Sequence, residues 1–329
     1  MKRLFYLMLV VLGTAAFTAC SDDDDNNNGD GNSNDGNGTI TMVTEGQNVK
    51  LIIHTLNEGD KVTIDWGDGL TETYQSAQGK YYEDIYNIID VERNYTGSNH
   101  TITIQGNNII IGLDCYNCSL TSLNINEATT LSYLECSDNL LQSLDVSKCT
   151  ALVELSCGGN QFTSLDVSKN TALIDLDTES CPLISLDVSK NIALINLDCS
   201  RNQLTSLNIS GCTALIWLDC SDNQLTSLDV TKNIALTSLS CSDNQLTSLD
   251  VTKNTELTSL GCSGNQLTSL DVSTNTALTY LSCKYNQFTA AEMNKIYEAL
   301  PTVGDGRLSC DQLGNPSIAE QKGWDVSFY

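Results

Sequence analysis

The sequence predicts a mainly β protein: a right-handed solenoid, preceded by a small β-sandwich and followed by a short capping helix. Three observations lead to this prediction. Cysteines recur at 115, 136, 157, 199, 220, 241, 262 and 283, at spacings of 21 residues or multiples of 21. Residues 39 to 108 alternate apolar and polar side chains, as strands do. After Asn286 the repeat gives way to FTAAEMNKIYEALP, which has a helical pattern.

Residues 1 to 19, MKRLFYLMLVVLGTAAFTA, are predicted to be a signal peptide. Lys2 and Arg3 precede an apolar run that is too short to span a bilayer, and small residues precede Cys20. The segment FTAC, which ends at Cys20, resembles the lipobox of bacterial lipoproteins. The resemblance implies that Cys20 carries a lipid anchor with palmitate and begins the mature chain. The alternative is a soluble secreted protein with an unmodified cysteine.

Residues 20 to 38 are predicted to form an acidic, flexible tether. SDDDDNNNGDGNSNDGNG contains no apolar residue that could offset the entropy of ordering. An acidic run directly after the lipidated cysteine resembles the export signal of surface lipoproteins in gut Gram-negative anaerobes. It implies an outer membrane lipoprotein exposed on the cell surface, and a plain solvated spacer is the alternative. The net charge of −25 excludes nucleic acid as a partner and leaves the lipid as the membrane anchor.

Residues 39 to 109 are predicted to form the β-sandwich, from the strand patterns TITMVT, VKLIIHT, KVTIDW and HTITIQG. The segment IDWGDG resembles the polycystic-kidney-disease type of immunoglobulin-like domain. The resemblance implies that Trp66 lies in the core and that Gly67, Asp68 and Gly69 form a tight turn. AQGKYYEDIYNIID departs from that family's pattern. We expect this domain to cap the first repeat.

Residues 110 to 288 form the predicted solenoid. Its nine units start at Ile110, Leu131, Leu152, Leu173, Leu194, Leu215, Leu236, Leu257 and Leu278. The unit L-x-x-L-x-C-x-x-N-x-L resembles the leucine-rich-repeat signature, with cysteine at the sixth position and asparagine or cysteine at the ninth. We expect positions 1, 4, 6, 11, 14 and 16 to point inward. One unit buries too little to fold alone, so stability must come from stacking.

The second half of each unit, LTSLDVS and its variants, predicts another short extended segment on the convex side. An aspartate column at position 15 is followed by a lysine column at position 18, as in Asp145 and Lys148. A solvated, salt-bridged edge is the favoured interpretation, and calcium along the aspartates is the alternative. The periodic cysteines are interpreted as a core ladder of free thiols, not as disulfides or a metal site.

Residues 289 to 329 are predicted to be a C-terminal cap. Thr289 and Glu292 form a capping box, and Pro301 ends the helix. The apolar side is predicted to carry Ala291, Ile296 and Leu300. SIAEQKGWDV resembles the tail of similar bacterial repeat proteins, which implies a last turn and strand around Trp324.

The sequence favours a protein that is not an enzyme and that uses no cofactor and no metal site. The chain has two histidines, His54 and His100, without a candidate nucleophile nearby. It contains neither a phosphate-binding loop nor a paired metal-ligand motif. The acids recur unit by unit, whereas catalysis requires a unique constellation.

The candidate binding residues lie at positions 3, 5, 7 and 8, which should face outward on the concave sheet. They are Tyr133, Glu135, Asp175, Asp177, Glu179, Asp198, Arg201, Trp217, Asp219, Asp222, Tyr280 and Tyr285. A tryptophan among carboxylates marks the middle units. We expect a protein ligand with a basic surface to dock through Trp217, Asp198, Asp219 and Asp222. The alternative is that these acids only keep an exposed β surface soluble.

Taken together, these motifs resemble the internalin-like, leucine-rich-repeat surface lipoproteins of bacteria. The resemblance implies a monomer that binds proteins in adhesion or host interaction. A glycan-binding accessory lipoprotein of a nutrient-uptake system is one alternative, and a purely structural stalk is another.

Overall fold

The structure is a computed structural model that describes residues 38 to 328, except for positions 83, 98 and 107. The predicted signal peptide, the lipidation site Cys20 and all but the last residue of the predicted tether lie outside the described residues. Within the described part, no helix has the length and hydropathy needed to cross a membrane.

Two strand layers precede the repeats. Their strands are β1 (Thr39–Thr44), β2 (Asn48–Thr55), β3 (Lys61–Asp65), β4 (Thr71–Gln75), β5 (Ala77–Tyr81), β6 (Asp84–Asn94) and β7 (His100–Gln105). Alternating side chains are buried along β1 and β3, as the period of two requires. Trp66 is fully buried, and the backbone at Gly67 has a φ of +73°. A Cβ at Gly67 would lie 2.3 Å from the Thr101 carbonyl oxygen, so the turn requires glycine here.

Each of these layers continues into the first repeat unit. That unit contributes β8 (Ile110–Asp114), which pairs antiparallel with β2, and β9 (Leu120–Asn124), which pairs antiparallel with β1. One layer is the five-stranded sheet β4-β3-β7-β1-β9. The other is part of the sheet that forms the concave face of the solenoid. The buried residues of both regions form one continuous core.

The concave face is a sheet of three-residue strands that repeat every 21 residues. They are β10 (Tyr133–Glu135), β11 (Glu154–Ser156), β12 (Asp175–Asp177), β14 (Asn196–Asp198), β16 (Trp217–Asp219), β17 (Ser238–Ser240), β18 (Ser259–Gly261) and β19 (Tyr280–Ser282). The strands are parallel and in register, so that Leu197 lies opposite Leu176 and Leu218. With β5, β6, β2 and β8 before them and two strands after them, they make a fourteen-stranded sheet. The predicted mainly β solenoid of 21-residue units is confirmed.

The convex side carries fewer strands than predicted. A paired extended segment forms only between β13 (Ser185–Asp187) and β15 (Ser206–Asn208) among the described units beyond the first. In the described units beyond the first, the predicted convex segment is therefore confirmed as a paired strand only at β13 and β15. In other units the convex segment contacts the preceding unit through a single backbone hydrogen bond and not through a ladder. An example is the bond from the Gln224 N–H to the Leu204 carbonyl at 2.9 Å.

Three polar or sulfur ladders run through the interior. The sixth-position cysteines are free and buried. At position 9, the Asn202 amide donates to the carbonyls of Thr178 and Cys199, and its Oδ1 accepts from the Leu183 N–H. At position 19, the Asn170 amide donates to the Val146 carbonyl at 2.9 Å. These side chains satisfy backbone groups that stacking alone would leave unpaired.

The C-terminal cap closes the last unit. Helix α1 (Ala290–Ala299) begins at the N-cap Thr289, whose hydroxyl accepts from the Glu292 N–H at 3.2 Å. It is followed by β20 (Gly306–Ser309), α2 (Ser317–Glu320) and β21 (Trp324–Ser327), and the two strands extend the concave sheet. The predicted apolar side is correct at Ile296 and Leu300 and wrong at Ala291, which is exposed. Met293 and Tyr297 are buried instead.

Candidate binding surface on the concave sheet

The predicted site residues occupy two kinds of position. Strand positions 3 and 5 hold Tyr133 and Glu135 on β10, Asp175 and Asp177 on β12, Asp198 on β14, Trp217 and Asp219 on β16, and Tyr280 on β19. Glu179, Arg201, Asp222 and Tyr285 lie in the turns that follow the strands. All of them lie along the same sheet, but they do not all lie close together.

The middle units bring a row of carboxylates together. Asp177 is in register with Asp198, and Asp198 is in register with Asp219, on three adjacent strands. Trp217 lies two residues before Asp219 and opposite Asn196. In-register neighbours on one face of a parallel sheet lie one strand spacing apart, about 4.8 Å. The geometry is therefore that of an acidic row beside an aromatic side chain.

These acids are more buried than an outward-facing row was expected to be. Burial is the main cause that raises the pKa of Asp177 to about 6, and the negative charge of Asp198 adds to it. Burial likewise raises the pKa of Asp198, which the Ser200 hydrogen bonds partly offset. Glu135 is only 9 % exposed. Part of the row is thus held at a cost in electrostatic energy.

The same acids also shape the turns that follow their strands. Asp177 accepts from the Glu179 N–H at 2.9 Å, and Asp219 accepts from the Ser221 N–H at 2.9 Å. Asp198 does the same with Ser200 at 3.0 Å. Each carboxylate thereby fixes a turn of its own unit and also contributes negative charge to the concave face.

Arg201 is the basic member of the predicted set and already contacts two of the acids. Its Nη1 lies 2.8 Å from Glu179 Oε1, and its Nε lies 4.0 Å from Asp222 Oδ2. Arg201 and Asp222 both have a φ of +53°, which projects them from left-handed turn positions. The guanidinium is mostly exposed, so this internal ion pair is open to exchange with a partner's cation.

Carboxylate oxygens of Asp177, Glu179 and Asp198 lie within 4.8 Å of one another. Oxygen ligands at this spacing suit a hard divalent cation. A row of acids in register along a parallel sheet produces the same spacing. Asp177 and Asp198 belong to the in-register acidic row, and Glu179 lies in the turn that follows β12.

The remaining predicted residues lie away from this row. Tyr280 is on the third strand beyond Trp217, toward the C-terminal cap, and Tyr285 is in the turn after that strand; they are 42 % and 71 % exposed. Tyr133 lies four strands away in the other direction, where its hydroxyl is 2.9 Å from that of Tyr81. Sequence reasoning missed Tyr81 and its neighbours, although YYEDIY packs three tyrosines into six residues.

The convex aspartate column has a different geometry. Asp145 Oδ1 accepts from the Ser147 N–H at 2.9 Å, and its hydrogen bonds with Ser147 lower the pKa of Asp145. Asp229 makes the equivalent bonds with Thr231. None of the described ion pairs joins this column to the lysines of position 18. In the described units the column serves as a series of turn caps.

Comparison with known proteins supports the fold. No protein-family model matches the chain, and no curated protein matches it either. Among solved structures, the functional domain of InlJ from Listeria monocytogenes, described as including a cysteine ladder, is 32 % identical with a TM-score of 0.52. The match covers 70 % of this chain and 56 % of the InlJ chain, so this chain spans little more than half of that relative.

Two further structures share the fold at lower identity. YopM, a leucine-rich effector protein from Yersinia pestis, is 20 % identical over 62 % of this chain and 57 % of its own, with a TM-score of 0.50. A chain from an octameric complex of Latrophilin 3, Unc5D and the leucine-rich repeat of FLRT2 is 17 % identical over 61 % of this chain and 71 % of its own, with a TM-score of 0.50. The chain therefore has the leucine-rich-repeat fold, and it is similar to the InlJ domain down to the ladder of buried cysteines.

Proposed function

We propose that this protein is a non-catalytic, cell-surface binding protein that uses the concave face of its solenoid to hold a protein partner with a basic surface. The observation that carries the proposal is the in-register row Asp177, Asp198 and Asp219 beside Trp217. An aromatic side chain beside a row of carboxylates suits a partner that brings both apolar contact and positive charge.

The electrostatics of the row support a cationic ligand. The raised pKa values of Asp177 and Asp198 mean that their negative charges are under-compensated within the protein. A basic side chain placed over the row lowers that cost, because it favours the ionised form of each carboxyl. The same argument disfavours an acidic partner.

Adhesion or host interaction is the role we propose for this binding. The InlJ likeness supports a bacterial binding solenoid, and the complex containing the FLRT2 repeat is an example of this fold in a protein assembly. We also propose that Cys20 carries a lipid that holds the chain to the outer membrane. Growth of the native strain with a labelled fatty acid tests the anchor: Cys20→Ser should abolish labelling and release the protein.

The binding proposal is tested by probing full-length protein, solubilised in mild detergent, against arrays of extracellular-matrix proteins, mucosal proteins and purified glycans. We expect a protein hit that weakens with salt and that loses at least about ten-fold in affinity with Trp217→Ala. Asp222→Arg should also weaken it, and that variant places arginine where Arg201 already tolerates the same backbone conformation.

Glu256→Arg is the matched control, since it makes the same change in charge at an exposed residue that belongs to none of the concave positions. If Asp222→Arg and Glu256→Arg weaken the hit equally, only net charge matters and the proposed site is wrong. A glycan hit that is indifferent to salt would instead favour nutrient capture, and silence on every array would favour a stalk.

A further inference from the structure

A cluster of aromatic side chains lies at the N-terminal end of the concave sheet. The rings of Tyr81, Tyr86 and Tyr133 surround the imidazole of His54, with centroid distances of 4.7, 5.0 and 5.4 Å. Tyr82 packs edge-on against Tyr81 at 4.6 Å. These residues come from strands that are distant in sequence, so the cluster exists only because the N-terminal strands and the solenoid share one sheet.

Hydrogen bonds fix two of the phenols against a carboxylate. The Tyr81 hydroxyl donates to Asp114 Oδ2 at 2.6 Å and lies 2.9 Å from the Tyr133 hydroxyl. Since the Tyr81 proton goes to Asp114, Tyr133 is the donor to Tyr81. Asp114 also accepts from the Tyr116 N–H at 2.9 Å, which ties the cluster to the first concave turn.

Negative charge surrounds the cluster. Asp84 and Glu154 act on Tyr86, whose pKa is raised to about 12 mainly by burial and then by these two charges. The Asp138 carboxylate raises the pKa of Tyr116. None of the described ion pairs involves Asp84, Asp114 or Asp138. The aromatic rings thus lie beside three carboxylates, Asp84, Asp114 and Asp138, that take part in none of the ion pairs of the described residues.

The centre of the cluster stays uncharged at neutral pH. His54 is 4 % exposed, and burial lowers its pKa to about 4 although Asp114 opposes the shift. A neutral imidazole supplies no positive charge that would compete with a ligand. Its Nε2 has no hydrogen-bond partner among the described residues, which is unusual for a buried polar atom.

The rim of the cluster is open to a partner. Tyr82 is 62 % exposed and Tyr116 is 51 % exposed. Large exposed apolar side chains that lie together are a common mark of an interaction surface. Aromatic faces beside carboxylates attract Lys and Arg side chains through cation–π and ionic contacts together.

We propose that this tyrosine patch, defined as Tyr81, Tyr82, Tyr86, Tyr116 and Tyr133 with Asp84, Asp114 and Asp138, binds an arginine or lysine side chain of a protein partner. This inference rests on the proposed function, because one partner is taken to contact both the tyrosine patch and the acidic row beside Trp217. Tyr133 of the patch lies four strand spacings from Trp217, about 19 Å. A partner that reaches both must therefore present two basic regions at that separation.

The probe is an acetylated, amidated peptide with two arginines seven residues apart in a Gly/Ser chain, which can separate them by at most about 24 Å. Full-length protein is titrated calorimetrically at about 0.15 M salt, where distant surface charges are screened. A peptide with citrulline in place of both arginines keeps the shape and removes the charge. Maltohexaose serves as the neutral glycan probe.

The key variant is Tyr82→Asn, because Tyr82 has a φ of +54° and asparagine tolerates that conformation. Leu70→Asn is the control, since Leu70 is 50 % exposed and lies outside the patch, just before β4 of the five-stranded sheet. Asp84→Asn is the second variant, and circular dichroism checks the fold of each.

We expect the arginine peptide to bind, the citrulline peptide to bind at least about ten-fold more weakly, and Tyr82→Asn to weaken arginine-peptide binding by about three- to thirty-fold. Leu70→Asn should leave binding unchanged, and Asp84→Asn should weaken it. The inference is overturned if Tyr82→Asn and Asp84→Asn bind the arginine peptide as the parent does, or if the parent does not bind it.

The two proposals fail separately. If Trp217→Ala weakens peptide binding and the patch variants do not, the inference fails while the acidic row stands. If the patch variants weaken it and Trp217→Ala does not, the patch is the cation site and the row beside Trp217 is not. Binding of maltohexaose that is lost in Tyr82→Asn would make the patch a glycan platform and overturn the inference.

Discussion

The Cys181 thiol donates to the carbonyl oxygen of Cys157 at 3.4 Å, 24 residues earlier in the chain. In the next unit the Asn202 amide makes the same bond to Thr178 at 2.9 Å. The repeat can therefore exchange asparagine for cysteine at position 9, because both supply a donor to the same buried carbonyl. Cys212 does this at position 19, where its thiol donates to Val188.

This equivalence predicts the order of two substitutions at Asn202. Asn202→Leu leaves the Thr178 carbonyl and the Leu183 N–H unsatisfied and should lower the free energy of unfolding by about 2 kcal/mol or more. Asn202→Cys keeps one donor and should cost less. Urea unfolding measures both, with Gln203→Leu at the exposed neighbouring position as the control. Equal costs for Leu and Cys would contradict the role of the ladder.

The raised pKa of Asp177 predicts a pH dependence of stability. Between the ordinary value of 3.8 and the folded value of about 6, the folded state binds more protons than the unfolded state. The free energy of unfolding contributed by this group therefore falls as pH rises through that window. Asp177→Asn should remove this slope and stabilise the protein above pH 6, as measured by urea unfolding across pH.

Asp166 is the contrasting case for that experiment. Its hydrogen bonds with Ser168 lower its pKa, so its contribution is present at neutral pH and is lost on acidification. Asp166→Asn should not stabilise the protein above pH 6. A neutral-pH stability gain in Asp166→Asn and none in Asp177→Asn would reverse the interpretation.

The buried thiols predict chemical inertness in the folded state. The described cysteines are free and buried, and burial holds the pKa of Cys136, Cys157 and Cys220 well above the usual range. With Cys20→Ser in place, we expect no alkylation by iodoacetamide at pH 8 in the folded protein and complete alkylation in guanidinium, read by intact mass. Rapid alkylation of a sixth-position cysteine under native conditions would refute the core ladder.

Gly211 predicts a case in which the repeat consensus fails. Its position carries lysine in other units, such as Lys190 and Lys232, yet a Cβ at Gly211 would lie 1.9 Å from the Ser189 carbonyl oxygen. Gly211→Lys should lower the free energy of unfolding by about 1–3 kcal/mol, because the backbone must shift. Thr274→Lys makes the consensus change where the residue is exposed and should stay within about 0.5 kcal/mol. Thermal unfolding distinguishes them, and equal effects would show that the loop at Gly211 adapts freely.

The period of the chain explains why the solenoid could be predicted. Leu176, Cys199 and Val230 point inward because their positions recur every 21 residues, and stacked units impose the same environment on each. The capping residue Thr289 was likewise visible, since a local rule governs it. The prediction that Ala291 lies on the apolar side was wrong because the rotation of α1 about its axis depends on a distant contact. In that contact the Tyr297 hydroxyl donates to the Leu313 carbonyl at 2.9 Å.

The candidate site was less accessible to sequence reasoning for a related reason. The alternation along β10 predicts that Glu135 faces outward, but not that it is 9 % exposed and bonded to the Ser137 N–H. The contact of Tyr81 with Asp114 crosses from the N-terminal strands into the first repeat. No periodicity links those two residues, so only the shared sheet reveals the tyrosine patch.

The interior ladders reach back by whole units: Asn254 donates to carbonyls 24 and 21 residues earlier, at Val230 and Asn233. Inserting or deleting one complete 21-residue unit therefore preserves every ladder bond and leaves both caps intact. Gain or loss of whole units can therefore lengthen or shorten the concave face while the interior ladders stay complete. A unit gained or lost between Tyr133 and Trp217 changes the distance from the tyrosine patch to Trp217 by one strand spacing. A unit gained or lost elsewhere leaves that distance unchanged. The separation of the two contacts can thus vary while both contacts are kept.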